Sequence, residues 1–218
     1  MPKFDQYKTI IFDCDGVILN SNGIKSEAFF NVTKSYGVDL AKAMQDYHIA
    51  NGGISRYAKF EYFFKEILRS KPADYEVNNL VNLFARQVRD NLLFCDVSDG
   101  LKELKNYLKH SKWLVVSGGD QNELQEVFGL RGLSEMFDGG IFGSPDAKEE
   151  ILEREIANNN IVTPALFLGD SKYDYSAATG AGLDFMFVSN WTEVDEWKSW
   201  TAQNNINYIQ QLSDLLPQ

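Results

Sequence analysis

Short apolar runs alternate with amphipathic stretches along most of this chain. Thr9–Phe12, Trp113–Ser117, Gly140–Phe142, Ala165–Leu168 and Phe185–Val188 are mainly apolar and consecutive rather than alternating. Runs of that kind predict strands buried on both faces. Helical patterns fill the gaps at Asp120–Phe128, Asp146–Ala157 and Tyr173–Ala181. Strands alternating with helices predict a doubly wound α/β architecture, a mostly parallel sheet with helices on both faces. Ile206–Ile209 predicts one more short strand with a helical tail after it. The stretch Trp191–Trp200 reads as a surface-packed helix.

One long gap breaks the rhythm. From Val17 to about Leu92 the strand signal is missing, and the pattern predicts helices over Ile24–Tyr36, Leu40–His48, Ser55–Leu68 and Tyr75–Leu93. Gly37 can stop the first, and Pro72 separates the third from the fourth. Tyr57, Phe60, Phe64 and Leu68 recur at helical spacing, which predicts core packing. The economical reading is a helical cap, residues 17–92, inserted into a core made of residues 1–16 and 93–218. Such an insert can close over a site at the strand tips.

Composition narrows the class. The chain has 218 residues, 44% apolar and 24% charged, as expected of a soluble globular protein. No apolar run is long enough to span a bilayer, and the start, Met1-Pro2-Lys3-Phe4, has no apolar signal region. The two cysteines, Cys14 and Cys95, show no metal-ligand spacing and fit a reducing compartment. A cytoplasmic protein is expected. The net charge of −10, without a basic stripe, argues against nucleic-acid binding. It does not exclude an anionic substrate, because charges beyond about 8 Å are largely screened at physiological salt.

The chemistry starts at the tip of the first strand. Ile10-Ile11-Phe12 delivers Asp13 and Asp15 out of the core, and Gly16 lets the chain turn. Two acids this close repel each other unless a cation or a proton lies between them. An EF-hand loop is excluded, since its fifth and twelfth positions would be Val17 and Ile24. Three further pieces follow, each at a strand end: Ser117-Gly118-Gly119, then Gly143-Ser144-Pro145-Asp146-Ala147-Lys148, then Gly169-Asp170 with Asp174. Singly each has an ordinary reading: a loop hydroxyl at Ser117, a solvated charge at Lys148, a helix N-cap at Asp170. Together they set acids, a hydroxyl, backbone donors and a lysine on one rim of one sheet.

The ordered set Asp13-Cys14-Asp15-Gly16, Ser117, Lys148, and Gly169-Asp170 with Asp174 resembles the four motifs of the haloacid dehalogenase superfamily. The helical insert resembles the cap of the branch that includes phosphoglycolate phosphatase and β-phosphoglucomutase. The departure is Gly118-Gly119, where relatives often carry larger polar residues. The resemblance implies a phosphoric monoester hydrolase working through an aspartyl-phosphate. Asp13 would be the nucleophile and Asp15 the acid and base. Mg2+ would be held by Asp13, the main-chain carbonyl of Asp15, and Asp170, with Asp174 orienting that shell. Ser117, the Gly118 N–H and Lys148 would bind phosphoryl oxygens. Asp15 favours phosphoryl transfer over dehalogenation, because a halide leaves without protonation.

In the insert, Arg56 and Lys59 are candidate substrate-binding residues, Arg56 as a bidentate clamp. The plain alternative puts both on a solvated helix face, and His48 is expected at the surface or packed. Gly52 and Gly53 would give a hinge or a close backbone approach. The expected substrate is a small phosphorylated metabolite, a sugar phosphate or phospho-acid. Neither nucleic acid nor membrane is expected as a partner, and the expected state is a monomer or weak homodimer. A phosphomutase with the same catalytic set and a non-catalytic binding protein on the same fold remain as alternatives.

Overall fold

The computed structural model describes residues 4–217. Six strands form one parallel sheet: β1 Thr9–Phe12, β2 Lys112–Asp120, β3 Gly140–Ser144, β4 Ala165–Gly169, β5 Asp184–Val188 and β6 Tyr208–Ile209. Their order is β3-β2-β1-β4-β5-β6, parallel throughout. The order reverses between β1 and β4, and such a switch point leaves a crevice at the carboxyl ends of the strands.

Strand geometry sorts the apolar residues between two cores. Ile10 and Phe12 of β1, Trp113 and Val115 of β2, and Leu166 and Leu168 of β4 face one core. Ile11, Leu114, Val116 and Phe167 face the other. This is the period-two alternation of a pleated strand with both faces covered. Phe12 and Trp113 pack across neighbouring strands with ring centroids 4.6 Å apart.

The inserted helices are α1 Asn22–Thr33, α2 Val38–Ala50, α3 Arg56–Tyr62 and α4 Asp74–Phe94. The first core continues into them through Phe29, Phe60, Phe63 and Phe84. Gly37 ends the α1 segment at φ 130°, a conformation open to glycine. The predicted helix Ser55–Leu68 is not continuous: α3 gives way at Phe63–Ile67 to a wider π-helical turn. Such turns insert one residue into the helical ladder. Two extended links join insert and sheet, where Leu19 bridges Asp15 and Val97 and Ser98 N–H donates to the Ile18 carbonyl at 2.8 Å.

Elsewhere the boundaries move. The β2 strand runs three residues beyond the apolar run, to Asp120, through an irregularity in its pairing with β3 between Val116 and Asp120. The remaining helices are α5 Leu101–Tyr107, α6 Gln121–Leu130, α7 Lys148–Ala157, α8 Lys172–Gly180 and α9 Trp197–Gln203. The Trp191–Trp200 stretch is helical only from Trp197. The tail after β6 is a single 3-10 turn, Leu212–Leu215. No helix among the described residues is long and apolar enough to cross a membrane.

Candidate active site

Asp13 extends β1 by one residue, its N–H donating to the Leu168 carbonyl of β4 at 2.9 Å. The ladder therefore fixes its side chain at the switch point. Asp170 follows β4 directly. Asp174 lies in the first turn of α8, where its carboxylate accepts from the Ser171 N–H at 3.1 Å and the Ser171 hydroxyl at 2.7 Å. The N-cap of α8 is thus Ser171 rather than Asp170. Carboxylate oxygens of Asp13, Asp170 and Asp174, one from each, lie within 4.8 Å of one another, and all three side chains are buried.

One cation enters this cluster. Lys148, the first residue of α7 and 1% exposed, donates to Asp174 and places its ammonium 2.9 Å from Asp13 Oδ1. That oxygen nevertheless accepts no well-directed hydrogen bond. Burial is the largest influence on Asp13 and raises its pKa to about 7; Lys148 pulls it down, while Asp174 and Asp15 push it up. Asp170 is driven well above the ordinary carboxylate range by burial and then by Asp174 and Asp13. A lone lysine under-compensates three buried acids. The unsatisfied oxygen and the all-carboxylate donor set suit a hard divalent cation such as Mg2+.

Gly16 makes room for this arrangement. Its φ is 76°, and a methyl group there would overlap the Asp170 carboxylate and the Asn22 amide. Asp15 turns away from the acid cluster. Its side chain accepts from the Ser21 hydroxyl and from Lys25 Nζ, each at 2.5 Å. Burial would raise its pKa, but the Lys25 ammonium and these hydrogen bonds outweigh burial and hold it below the usual range.

Ser117 is fully buried, and its hydroxyl accepts from the Gly119 N–H at 3.1 Å. Gly118 lies directly beneath the insert: a methyl there would overlap the Gly53 carbonyl oxygen. Gly118, the first of the two glycines that depart from the expected pattern, therefore lets the loop before α3 sit on the carboxyl end of β2. Gly53 itself has φ 84°.

The insert is tied down over the site. Both nitrogens of the Arg56 fork engage the Glu123 carboxylate on α6, with Nη1 at 3.0 Å from Oε2. Tyr57 donates to Asp120 at 2.7 Å, and Ser26 to Glu193 at 2.8 Å. A cavity of about 40 Å³ remains between insert and sheet, lined among others by Asp13, Asp15, Lys25, Arg56, Lys59 and Asp170. That is room for a few waters. Arg56 and Lys59 do not lie on a solvated helix face; both are buried, because α3 packs inward on Phe84 and Phe29. His48 is packed, its ring centroid 4.5 Å from that of Phe29.

Sequence reasoning missed Ser21, Asn22, Lys25, Glu123 and Glu193. Asn22 donates to Asp170 at 2.7 Å. Ser21, Asn22 and Lys25 lie within ten residues of Asp15, so proximity was the available signal. Glu123 and Glu193 gave none, because only the packing of the insert sets them against Arg56 and Ser26.

Acids and a lysine gather at a sheet's switch point under a helical insert, in a fold of the doubly wound α/β class. Residues 7–182 match the family model for the haloacid dehalogenase-like hydrolases. The chain belongs to that family. No curated protein sequence matches it significantly. Among solved structures, β-phosphoglucomutase from Clostridium difficile superposes with a TM-score of 0.75 at 18% identity, covering 96% of this chain and 93% of that one. A predicted phosphatase from Clostridium acetobutylicum gives 0.73 at 17% identity, with 95% of each chain covered. A predicted phosphoglycolate phosphatase from Haemophilus somnus gives 0.65 at 18% identity, with 97% of this chain and 92% of that one. At such identities the likeness shows the fold alone.

Proposed function

We propose that this protein is a Mg2+-dependent phosphatase of small phosphorylated metabolites. The observation that supports it best is Asp13, held at the tip of β1 among Asp170, Asp174 and Lys148. Asp13 attacks phosphorus, forming an aspartyl-phosphate as the bond to the leaving oxygen breaks. Asp15 gives that oxygen a proton, then takes one from the water that attacks the aspartyl-phosphate and releases inorganic phosphate. Its pairing with Lys25 suits the second step, because it holds Asp15 ionised. In the first step Asp15 must carry a proton, which it takes up from solvent against the pull of the Lys25 ammonium 2.5 Å away.

Asp13, Asp170 and the main-chain carbonyl of Asp15 would hold Mg2+, with Asp174 orienting that set. Bound there, Mg2+ would draw charge from the phosphoryl group and lessen its repulsion by Asp13. Lys148, the Ser117 hydroxyl and the Gly118 N–H would receive the non-bridging oxygens. Residues 17–92 act as the cap, excluding bulk water and large substrates. The test is release of p-nitrophenol from p-nitrophenyl phosphate with Mg2+. Activity should vanish with chelator and fall at least about a hundredfold in Asp13→Asn. An Asp13→Asn enzyme that keeps more would overturn the nucleophile assignment.

A further inference from the structure

The cap contributes three buried cations to the cavity wall, and their partners differ. Lys25 has Asp15 at 2.5 Å. Arg56 has both oxygens of Glu123. Lys59 lies one turn along α3 from Arg56, is 1% exposed, and has no carboxylate within ion-pair distance among the described residues. Its one hydrogen-bond partner is Nδ1 of His48, at 2.7 Å. His48 is itself buried and packed at a tilt against Phe29, whose ring also lies 5.5 Å from Lys59 Nζ.

An ammonium has three donors, and here one is used. Burying a cation without an anion is costly, and a cation–π contact offsets only part of that cost. The open side of Lys59 faces the cavity that holds Asp13. Arg56 is a poor receptor for a ligand, since Glu123 already occupies its fork.

We propose that Lys59, positioned by His48, determines substrate specificity by receiving a second anionic group, a carboxylate or a second phosphate, on the skeleton that carries the transferred phosphoryl group. This rests on the phosphatase reading above. Burial, and then the neighbouring Lys25 charge, lower the Lys59 pKa to about 7. Burial also takes His48 well below its ordinary value, so His48 serves as a neutral acceptor. A ligand anion would complete the charge on Lys59.

Three non-hydrolysable probes test this by calorimetry in excess Mg2+: phosphonoacetate, ethylene bisphosphonate and the neutral-tailed propylphosphonate. Wild type should bind at least one of the first two about tenfold tighter than the third, the scale of one charge-assisted hydrogen bond. Which of the two is preferred tells carboxylate from phosphate. In Lys59→Met the preference should shrink to within about twofold, a loss on the scale of that same bond. His48→Leu should weaken it, and His48→Asn, which keeps an acceptor, should restore it. Equal binding of all three by wild type, a result that needs no variant, overturns the proposal. So does a Lys59→Met variant that weakens all three by one factor. Turnover of p-nitrophenyl phosphate, followed in parallel, separates the two readings. Turnover without anion preference sinks this inference alone, whereas a Lys59-dependent preference without turnover establishes Lys59 as an anion site but sinks the phosphatase reading and the role in substrate specificity with it.

Discussion

Replacing Lys148 with methionine removes the only ammonium bonded to the Asp13–Asp174 pair among the described residues, while nearly conserving volume. Lys148 is buried against both acids, so its loss strands negative charge in the interior. Breaking a buried ion pair by deleting one partner costs about 3–5 kcal/mol. For a chain of this length each kcal/mol moves Tm by roughly 2–4 °C, so Tm should fall by about 6–20 °C. The loss should depend on pH. Without Lys148, Asp13 and Asp170 are raised further above their unfolded values, because each loses a cation that pulls its pKa down. A raised carboxylate keeps its proton in the folded state after the unfolded chain has released its own, so stability falls as pH rises. The deficit should be larger at pH 8 than at pH 5.5, where protonation relieves the repulsion. Differential scanning calorimetry in chelator, on both proteins at both pH values, measures this. A deficit under about 2 °C, less than a single kcal/mol would produce, or one independent of pH, would refute the claim that Lys148 neutralises this cluster.

Three other outcomes follow from the same geometry. Glu123→Gln leaves the buried Arg56 without its anion, so hydrogen exchange over Arg56–Tyr62 should quicken and KM should rise; unchanged exchange would show that the pair does not tie the cap down. Gly118→Ala sets a methyl against the Gly53 carbonyl oxygen, and a cap-seating penalty of roughly 1–3 kcal/mol should lower kcat/KM by about 5- to 150-fold; full activity would mean the loop need not approach so closely. Mg2+ affinity should rise from pH 6 to pH 8, because Asp13, with its pKa raised to about 7, and Asp170 must shed protons to act as ligands; a flat titration would exclude them.

The sheet was legible because β1, β2 and β4 each contain an uninterrupted apolar run, residues 10–12, 113–116 and 165–168, and burial on both faces demands that. The acid cluster was legible because its members sit at or just beyond strand ends, where the sheet's direction fixes their side. The reach of β2 to Asp120 was not, since Ser117-Gly118-Gly119 reads as a loop and only pairing with β3 extends the strand. Nor was the break in α3: an apolar stripe at helical spacing does not register the one-residue slip at Phe63–Ile67. The burial of Arg56 and Lys59 escaped for a different reason. A charged residue on a helix reads as solvated until the partner arriving from elsewhere is known, and Glu123 is 67 residues away.

Trapping the covalent species tests the account most directly. The enzyme would be quenched during turnover, reduced with borohydride, and its peptides mapped by mass spectrometry. An acyl phosphate on Asp13 should be recovered as homoserine at position 13, and Asp13→Asn should give none. Steady turnover with Asp13 unmodified, or with the adduct on another residue, would contradict it.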